Sequence, residues 1–286
     1  LHLAPNGRFG YIAHRDAGYV TVLDTTINQV TATIPVPAGP PQFVAFAPDG
    51  SRAYLSIYNT ERTVNLIGVL DTATNTLLST IPVGRRPFAS ATTADGSRLY
   101  VPSHDDGRLD VIDTASGEVV NRIPVAPNPH WVAFSPDGSR LYTANHESGV
   151  VTEIDPATDE ILGTVDVGVS PHSTTVSPDG ARVAVVNYDS DELSLIDTAT
   201  RTVAETVPVG ESPQDVAYSA DGRFLYTANV DADTLSVVDA ATGAVTATIP
   251  TGDGPTSVAV RPDGRQAYVT LLNAGTVLVL DTAAAG

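Results

Sequence analysis

Three residue types are absent from the chain, which contains no cysteine, no methionine and no lysine. Without cysteine there is neither a disulfide nor a thiolate nucleophile, and cysteine usage says nothing about the redox compartment. No apolar segment approaches the roughly 18 residues that cross a bilayer, which predicts a soluble protein without a membrane span.

Positive charge is also scarce. All 15 basic residues are arginine, against 33 acidic residues, and the formal net charge is −18. Binding to nucleic acid or to an anionic membrane requires a basic face that displaces counterions, so the charge argues against both kinds of partner. The 286 residues are 42% hydrophobic, which is sufficient for a folded core.

One short turn motif recurs along the whole chain. Its form is Pro or Ala, then Asp or Asn, then Gly, and consecutive copies lie 42 to 46 residues apart. The seven turn glycines are Gly7, Gly50, Gly96, Gly138, Gly180, Gly222 and Gly264. Seven copies of one unit account for nearly the whole sequence, which indicates a repeat architecture.

Each unit contains four short segments rich in Val, Ile, Leu and Tyr, as in WVAFS, RLYTAN, VVTEID and ILGTVDV. Turn residues separate these segments and none has a sustained helical period, so each unit is predicted to be a four-stranded antiparallel meander. The period and the strand number predict an all-β fold, a seven-bladed β-propeller that forms one domain over residues 1–286. The innermost strands are expected near residues 43–47, 88–93, 131–135, 173–177, 215–219 and 257–261.

The repeats resemble the YVTN-type propeller family in all seven units. The motifs are PDG, then YTAN, then a strand ending in Asp-Thr-Ala-Thr, then a T-I-x-V-G-x-x-P loop, as in SPDGSRLYTANHESGVVTEIDPAT. The family includes surface-layer, periplasmic and secreted proteins, so the resemblance implies an extracytoplasmic location. More distantly the chain is similar to the lactonase propellers, and it shares the expected fold with the streptogramin lyases, which implies lactone hydrolysis or a lyase reaction.

The strand order of a meander divides its loops between two faces. With the strands of a blade called A to D from the innermost outward, the A–B and C–D turns lie at one end. The B–C loop and the D-to-A crossover lie at the other end. The Asp-Gly and Asp-Thr-Ala-Thr turns share the first face and are explained by turn chemistry. We therefore expect function on the opposite face, which holds every histidine except His2.

Two sets of equivalent positions define this functional face. The residues that follow the crossover proline are Gln42, Phe88, His130, His172, Gln214 and Thr256. Those eight residues after the turn glycine, in the B–C loops, are Arg15, Tyr58, His104, His146, Tyr188, Val230 and Leu272. Polar and aromatic types concentrate in blades two to five, and the second blade has four extra B–C residues around 59–62. The pattern predicts a polar pocket where several loops converge.

The candidate site residues come from this face. The candidate catalytic residues, expected to act as one unit with His104 beside them, are His130, His146, Glu147 and His172. The candidate ligand-binding residues are His14, Gln42, Tyr58, His104, Asp105, Trp131, Tyr188 and Gln214. A divalent metal is an alternative, since imidazoles oriented by carboxylates bind such ions, and its candidate ligands are His104, His130, His146 and His172.

One alternative is that the histidines have no function and only bond loop carbonyls or face water. If the face is functional, two classes of function remain open. The first is an enzyme in which His and Glu act as general base and acid, with or without a metal, in a lyase or lactone-hydrolysis reaction. No GxSxG motif is present, which argues against a serine nucleophile. The second is a non-catalytic module that presents the same face to a protein, a glycan or a small molecule. Trp131, Tyr58 and Tyr188 suit either class, because aromatic side chains anchor ligands and partners alike.

The two ends of the sequence lead to one further expectation. Leu1–Leu3 begins inside an innermost strand, and the last unit ends just after its third strand, so the seventh blade lacks its outer strand in this chain. We expect an N-terminal extension of the native protein to supply that strand. A processed signal peptide is consistent with the missing initiator methionine.

Overall fold

A computed structural model describes residues 1–282. These residues form seven antiparallel sheets whose strands follow one another in chain order, six with four strands and one with three. The complete helices of the described chain are two three-residue 3-10 helices, His104–Asp106 and Tyr188–Ser190. The predicted seven-bladed β-propeller is confirmed.

The chain divides into two compact units, Leu1–Val132 and Ala133–Gly286. The strands that lie in the first are β1 (His2–Leu3), β2 (Phe9–His14), β3 (Tyr19–Asp24), β4 (Gln29–Pro35), β5 (Pro41–Phe46), β6 (Arg52–Tyr58), β7 (Asn65–Asp71), β8 (Thr76–Pro82), β9 (Ala91–Thr92), β10 (Arg98–Ser103), β11 (Arg108–Asp113) and β12 (Glu118–Pro124). The strand that runs across the boundary is β13 (Pro129–Phe134). Whether residues 1–286 behave as one domain stays a prediction.

The second unit continues the same pattern of strands. These are β14 (Leu141–Asn145), β15 (Val150–Asp155), β16 (Glu160–Asp166), β17 (Pro171–Val176), β18 (Arg182–Asn187), β19 (Glu192–Asp197), β20 (Thr202–Pro208), β21 (Pro213–Tyr218), β22 (Phe224–Asn229), β23 (Thr234–Asp239), β24 (Val245–Pro250), β25 (Pro255–Val260), β26 (Gln266–Leu271) and β27 (Thr276–Asp281). Among the described residues the seventh sheet has three strands, β25 to β27, as expected, and that an N-terminal extension supplies its outer strand stays a prediction.

Each unit builds its core from the middle strands of its blades. In the first unit Leu55 and Ile57 of β6 are fully buried with Val20 of β3. In the second unit Leu193 and Leu195 of β19 are fully buried in the same way. Burial of one such side chain contributes about 1.5–3 kcal/mol, so the blade interiors supply a large part of the stability.

On the face that carries the Asp-Gly turns, the Asp side chains accept hydrogen bonds from residues of their own turns, as predicted. In the second blade Gly50 has φ of 70°, and an Asp49 carboxylate oxygen accepts the Ser51 N–H at 2.9 Å. The equivalent Asp95 accepts the Thr93 hydroxyl and the amide and hydroxyl of Ser97, and these bonds lower its pKa to about 2. The carboxylates of this face therefore serve to hold turns closed.

On the opposite face, four of the innermost strands, β5, β17, β21 and β25, begin with a β-bulge, and in β17 the register shifts between Pro171 and Thr174. In β5, Pro41 pairs with Ile57 and Phe43 with Ser56, which leaves Gln42 as an extra residue. Gln214 of β21 and Thr256 of β25 are extra residues in the same way. These strands begin two residues earlier than predicted because a proline, which cannot donate to a ladder, is accepted as the first residue of a strand. A bulge changes the direction of its side chain, which places these residues on the functional face.

The third blade departs most from the prediction. Its innermost strand was expected over residues 88–93 but spans only Ala91–Thr92. The carbonyl of Phe88 accepts the Ser56 hydroxyl at 2.6 Å, and the Ala89 N–H donates to the His130 carbonyl at 3.3 Å. The Phe88 N–H still donates to the Pro102 carbonyl of β10 at 2.9 Å, so residues 87–90 keep only isolated pairing with their own blade, and the Phe88 side chain is buried against neighbouring aromatic rings.

The crossover glycine Gly210 lies against a buried asparagine. A β-carbon added at Gly210 would stand 2.6 Å from Nδ2 and 2.9 Å from Cβ of Asn229. The Asn229 amide is fixed by hydrogen bonds to Thr227 and Ser236. We expect Gly210→Ala to lower the free energy of unfolding by about 1–3 kcal/mol through this overlap, measured by chemical denaturation.

Gly163 of β16 provides the matched control for this substitution. An added β-carbon there meets no atom within 4 Å. Gly163→Ala is therefore expected to leave the stability unchanged or slightly raised, because glycine in a strand has the larger conformational entropy to lose. Equal losses of stability in the two variants would contradict the steric explanation.

Candidate functional site

Six rings of the first unit form a contact cluster around Phe88. We call it the Phe88 cluster, and its members are Phe43, Tyr58, Phe88, His104, His130 and Trp131. The Phe88 ring centre lies 3.9 Å from that of His130 and 4.9 Å from that of His104. The two histidine rings are 5.9 Å apart in a T-shaped arrangement. Four of the six members were predicted as site residues, and the structure brings them together.

The cluster has a buried centre and a partly exposed edge. His104 and His130 are 5% and 4% exposed and Phe88 is 6% exposed. Tyr58 and Trp131 are half-buried, and Trp131 packs edge-on against Phe43 at 5.8 Å. The histidines are therefore shielded from bulk water and ordered by aromatic neighbours.

His104 is paired with the carboxylate that follows it. Its Nδ1 lies 3.1 Å from Oδ1 of Asp105. An ionised carboxylate only accepts hydrogen bonds, so in the neutral ring Nδ1 carries the proton and Nε2 keeps the lone pair. Both residues lie in the 3-10 turn His104–Asp106, which places them at the end of β10. The arrangement is that of a general base oriented by an acid.

Two arginines contact Asp105. A guanidinium nitrogen of Arg62 lies 2.9 Å from Oδ2, and one of Arg86 lies 3.3 Å from Oδ1. The Arg86 guanidinium also lies 5.8 Å from the Tyr58 ring centre and 5.3 Å from that of Phe88. Burial raises the pKa of Tyr58, and the nearby Arg86 opposes that effect. Positive charge is thus concentrated beside the cluster in a strongly acidic protein.

A second carboxylate, that of Asp110, fixes the backbone before the 3-10 turn His104–Asp106. Asp110 of β11 is fully buried and accepts the Ser103 hydroxyl at 2.8 Å and the Gly84 N–H at 2.6 Å. Its other oxygen is 2.9 Å from Nε of Arg108. These contacts fix the segment that immediately precedes His104.

The remaining candidates of the first unit have structural contacts. The Gln42 side chain donates to the Tyr58 carbonyl at 3.0 Å and so holds the end of β6. His14 lies on its own hairpin, with Nε2 2.9 Å from the Thr21 hydroxyl and its ring 4.4 Å from that of Tyr19. Burial is the main cause that lowers the pKa of His14.

The second unit contains a separate histidine pair. The ring centres of His146 and His172 are 5.7 Å apart, and that of Tyr188 is 5.8 Å from His172. Nδ1 of His172 lies 2.8 Å from the backbone carbonyl of Gln214, so Gln214 takes part through its main chain. Glu147 is exposed to solvent.

The predicted catalytic and metal sets draw on both units. Among the described residues there is no group of three or more His, Cys, Asp or Glu residues arranged to hold a metal ion. That His130, His146, Glu147 and His172 act as one unit, and that four histidines share a metal, stay predictions.

Sequence reasoning missed several residues of the site. Phe88 and Arg86 form the centre and one flank of the cluster, and Phe43 and Arg62 contact its members. Phe88 stands at the position that is Gln, His or Thr in the other crossovers. An apolar ring at an otherwise polar position could have identified Phe88 from the sequence. Arg86 could not have been identified from the sequence, because its role depends on contacts with residues of two blades.

A buried carboxylate in the second unit was also missed. Asp215 of β21 is 5% exposed and accepts the Ser173 hydroxyl at 2.7 Å and the Val258 N–H at 3.0 Å. It therefore links the innermost strands β17, β21 and β25. Burial raises the pKa of Asp215 to about 6, against the opposing effect of these hydrogen bonds.

The sequence profile of a family described as "Lactonase, 7-bladed beta-propeller" matches residues 112–286, which is more than half of the chain. The chain belongs to this lactonase family. The matched part includes β12 to β27, together with His130, His146 and His172. The family assignment confirms the predicted lactonase-like propeller and is compatible with a hydrolase.

The fold is also found in a solved structure. The Kuenenia stuttgartiensis hydrazine synthase superposes with a TM-score of 0.89 over 99% of this chain and 94% of that chain, at 24% sequence identity. Identity this low shows the shared fold alone. No curated protein matches the chain. Within residues 1–282, no helix has the length and hydropathy needed to cross a membrane.

Proposed function

We propose that this protein hydrolyses a small lactone at the Phe88 cluster. The observation that carries the proposal is the His104–Asp105 pair, an imidazole oriented by a carboxylate within an ordered aromatic site. Membership of the lactonase family supports the same reaction class. Hydrolysis requires only a base for water and an environment that stabilises an oxyanion, and the cluster offers a residue for each role.

In the proposed mechanism Nε2 of His104 removes a proton from a water molecule as the water oxygen attacks the lactone carbonyl carbon. The carbonyl electrons move to oxygen, and the positive charge of Arg86 stabilises the resulting oxyanion. When the oxyanion collapses, the bond to the ring oxygen breaks and the His104 imidazolium returns the proton to that oxygen. The product is a hydroxy acid, which ionises and releases one proton to solvent near neutral pH.

The rim of the cluster supplies the binding surface in this proposal. Tyr58 and Trp131 are half-buried aromatic side chains, and such residues bind the apolar face of a small ring while their polar atoms reach water. His130 packs on Phe88 beside His104 and completes the wall. The YVTN-like repeats support an extracytoplasmic site of action for this reaction.

The experiment is a direct assay of ring opening. Purified protein is incubated with a panel of γ- and δ-lactones, and proton release is followed with a pH indicator. We expect saturable opening of at least one lactone above the buffer rate. The Arg8→Asn variant serves as the control, because Arg8 is an exposed residue that pairs with Asp24, and it is expected to retain the activity.

Binding without catalysis is the second candidate function. The 4–5% exposure of His130 and His104 favours it, since a base must meet water to act. In that case lactones or other small rings bind, as seen by quenching of the single tryptophan, and no proton is released. This result would contradict hydrolysis and support the binding module.

A further inference from the structure

Each B–C loop contains one residue in the left-handed backbone region. These residues are Gly18, Arg62, Gly107, Gly149, Asp191, Asp233 and Gly275, with φ between 54° and 64°. Glycine adopts this region freely and aspartate tolerates it, whereas a long side chain such as arginine is unfavourable there. Arg62 is therefore the exception, and it lies in the loop that the second blade has lengthened.

Left-handed arginines in this protein share one property. Three arginines of the described chain have a positive φ, namely Arg62, Arg86 and Arg201. Arg62 and Arg86 pair with Asp105, whose side chain is 10% exposed. Arg201 pairs with Glu153, whose side chain is 6% exposed, at 2.8 Å. The loop backbone sets this conformation, since the equivalent residues Ser170 and Asn75 are left-handed as well, and each arginine adds an ion pair to a carboxylate of low exposure.

The lengthened loop has its own internal order. The Asn59 side-chain oxygen accepts the Thr63 and Val64 amides at 2.9 and 3.0 Å, and the Asn59 carbonyl accepts the Arg62 amide. Arg62 then reaches from this loop to Asp105 of the third blade. The Asp105 carboxylate thus joins the loop to His104, since Oδ2 contacts Arg62 and Oδ1 contacts His104.

We propose that the loop of residues 59–64 is a strap held on the Phe88 cluster by the Arg62–Asp105 ion pair, and that Arg62 is a positioning residue for the His104–Asp105 pair. The positioning role rests on the proposed hydrolytic function, whereas the strap itself does not. The Arg62 side chain is 53% exposed and that of Arg86 is 28% exposed. Of the two ion pairs of Asp105, the one with Arg62 is therefore the more easily weakened by salt. Ionic strength therefore regulates the site, because exposed ion pairs are screened within about 3 Å at 1 M salt.

The strap is tested by hydrogen exchange of the Arg62, Thr63 and Val64 amides. Arg62→Asn removes the guanidinium and keeps a residue that tolerates the left-handed region. We expect this variant to exchange these amides about 2- to 5-fold faster than the wild type at low salt, after correction for intrinsic rates. At high salt the wild type should approach the variant, and the variant should change little. Arg62→Lys keeps the charge and should retain the salt dependence.

Arg8→Asn is the matched control. Arg8 is 60% exposed and pairs with Asp24, whose side chain is also 10% exposed, at 3.8 Å. This variant should leave the strap amides unchanged. Positioning is read from the imidazole NMR signals of His104, which should move with salt in the wild type and be displaced in Arg62→Asn at low salt.

The possible results separate the two proposals. Equal exchange in the wild type and Arg62→Asn would overturn the strap, whatever the lactone assay gives. If Arg62→Lys exchanged the strap amides as fast as Arg62→Asn does, the strap would also be overturned, because a positive charge at residue 62 would then not be what holds the loop. Faster exchange with unmoved His104 signals would overturn the positioning role. Faster exchange in a protein that opens no lactone supports the strap and rejects the hydrolytic function.

Discussion

Replacing His104 with glutamine is expected to lower kcat/KM for lactone opening by about 10²- to 10⁴-fold, the contribution typical of a positioned general base. Glutamine has a similar volume and an amide N–H that can still donate to Asp105, but it cannot accept a proton from water. The variant should therefore unfold near the wild-type temperature while losing its activity. Steady-state rates and a thermal unfolding curve measure both quantities on the same sample.

Two further measurements make this test specific. Asp105→Asn removes the acceptor that fixes the His104 tautomer, so it should also slow the reaction. The wild-type rate should fall at acidic pH, because a protonated imidazole cannot act as a base. Retention of full activity by His104→Gln would exclude His104 as the base.

The contribution of Asp215 to the stability is expected to rise as the pH falls from about 7.5 to about 4.5, whereas buried His2, whose pKa is lowered to about 4, contributes in the opposite direction. The pKa of Asp215 is about 6 in the folded protein, against 3.8 for the ordinary carboxyl. The folded state therefore binds this proton more tightly than the unfolded state does. The resulting stabilisation is complete below the unfolded value and is lost as the pH rises through 6. The difference between the two pKa values corresponds to about 3 kcal/mol.

Asp215→Asn isolates this contribution. The amide does not titrate, so the variant should lack the part of the pH dependence that Asp215 supplies. Its absolute stability should also be lower, since an amide nitrogen would face the backbone N–H of either Val216 or Val258. The readout is the difference in slope between wild type and variant in urea denaturation at several pH values. Parallel slopes would show that Asp215 does not titrate in this range.

The fold followed from the repeat because the turn glycines and the strand periods are local properties. The crossover prolines predicted innermost strands, and only the residues next to each proline were misplaced, because a bulge depends on pairing with the next strand. The short β9 could not be predicted in the same way. Phe88 keeps one backbone bond to β10 but gives its carbonyl to Ser56 and its ring to Phe43 and His130, and the local sequence around Pro87 does not encode those contacts.

The site was predicted less completely, for a related reason. Position in the repeat identified Tyr58, His104, His130 and Trp131, because equivalent residues share a face. It could not identify Arg62 or Arg86 as partners of Asp105, since their side chains cross from one loop to another. Asp215 was missed because its burial depends on the hydroxyl of Ser173 and the amide of Val258, each contributed by a neighbouring strand.

The bulge that follows the crossover prolines has a consequence for how such a protein diversifies. Gln42, Gln214 and Thr256 each stand outside the register of their strands, so the ladder on either side pairs without them. A mutation at one of these positions alters the chemistry of a single face and leaves the backbone ladder as it was, although at Gln42 it also removes the side-chain bond to the end of β6. A combinatorial library confined to these residues would sample recognition surfaces on a constant backbone. The duplicated blades of an ancestral gene could acquire separate specificities by the same route.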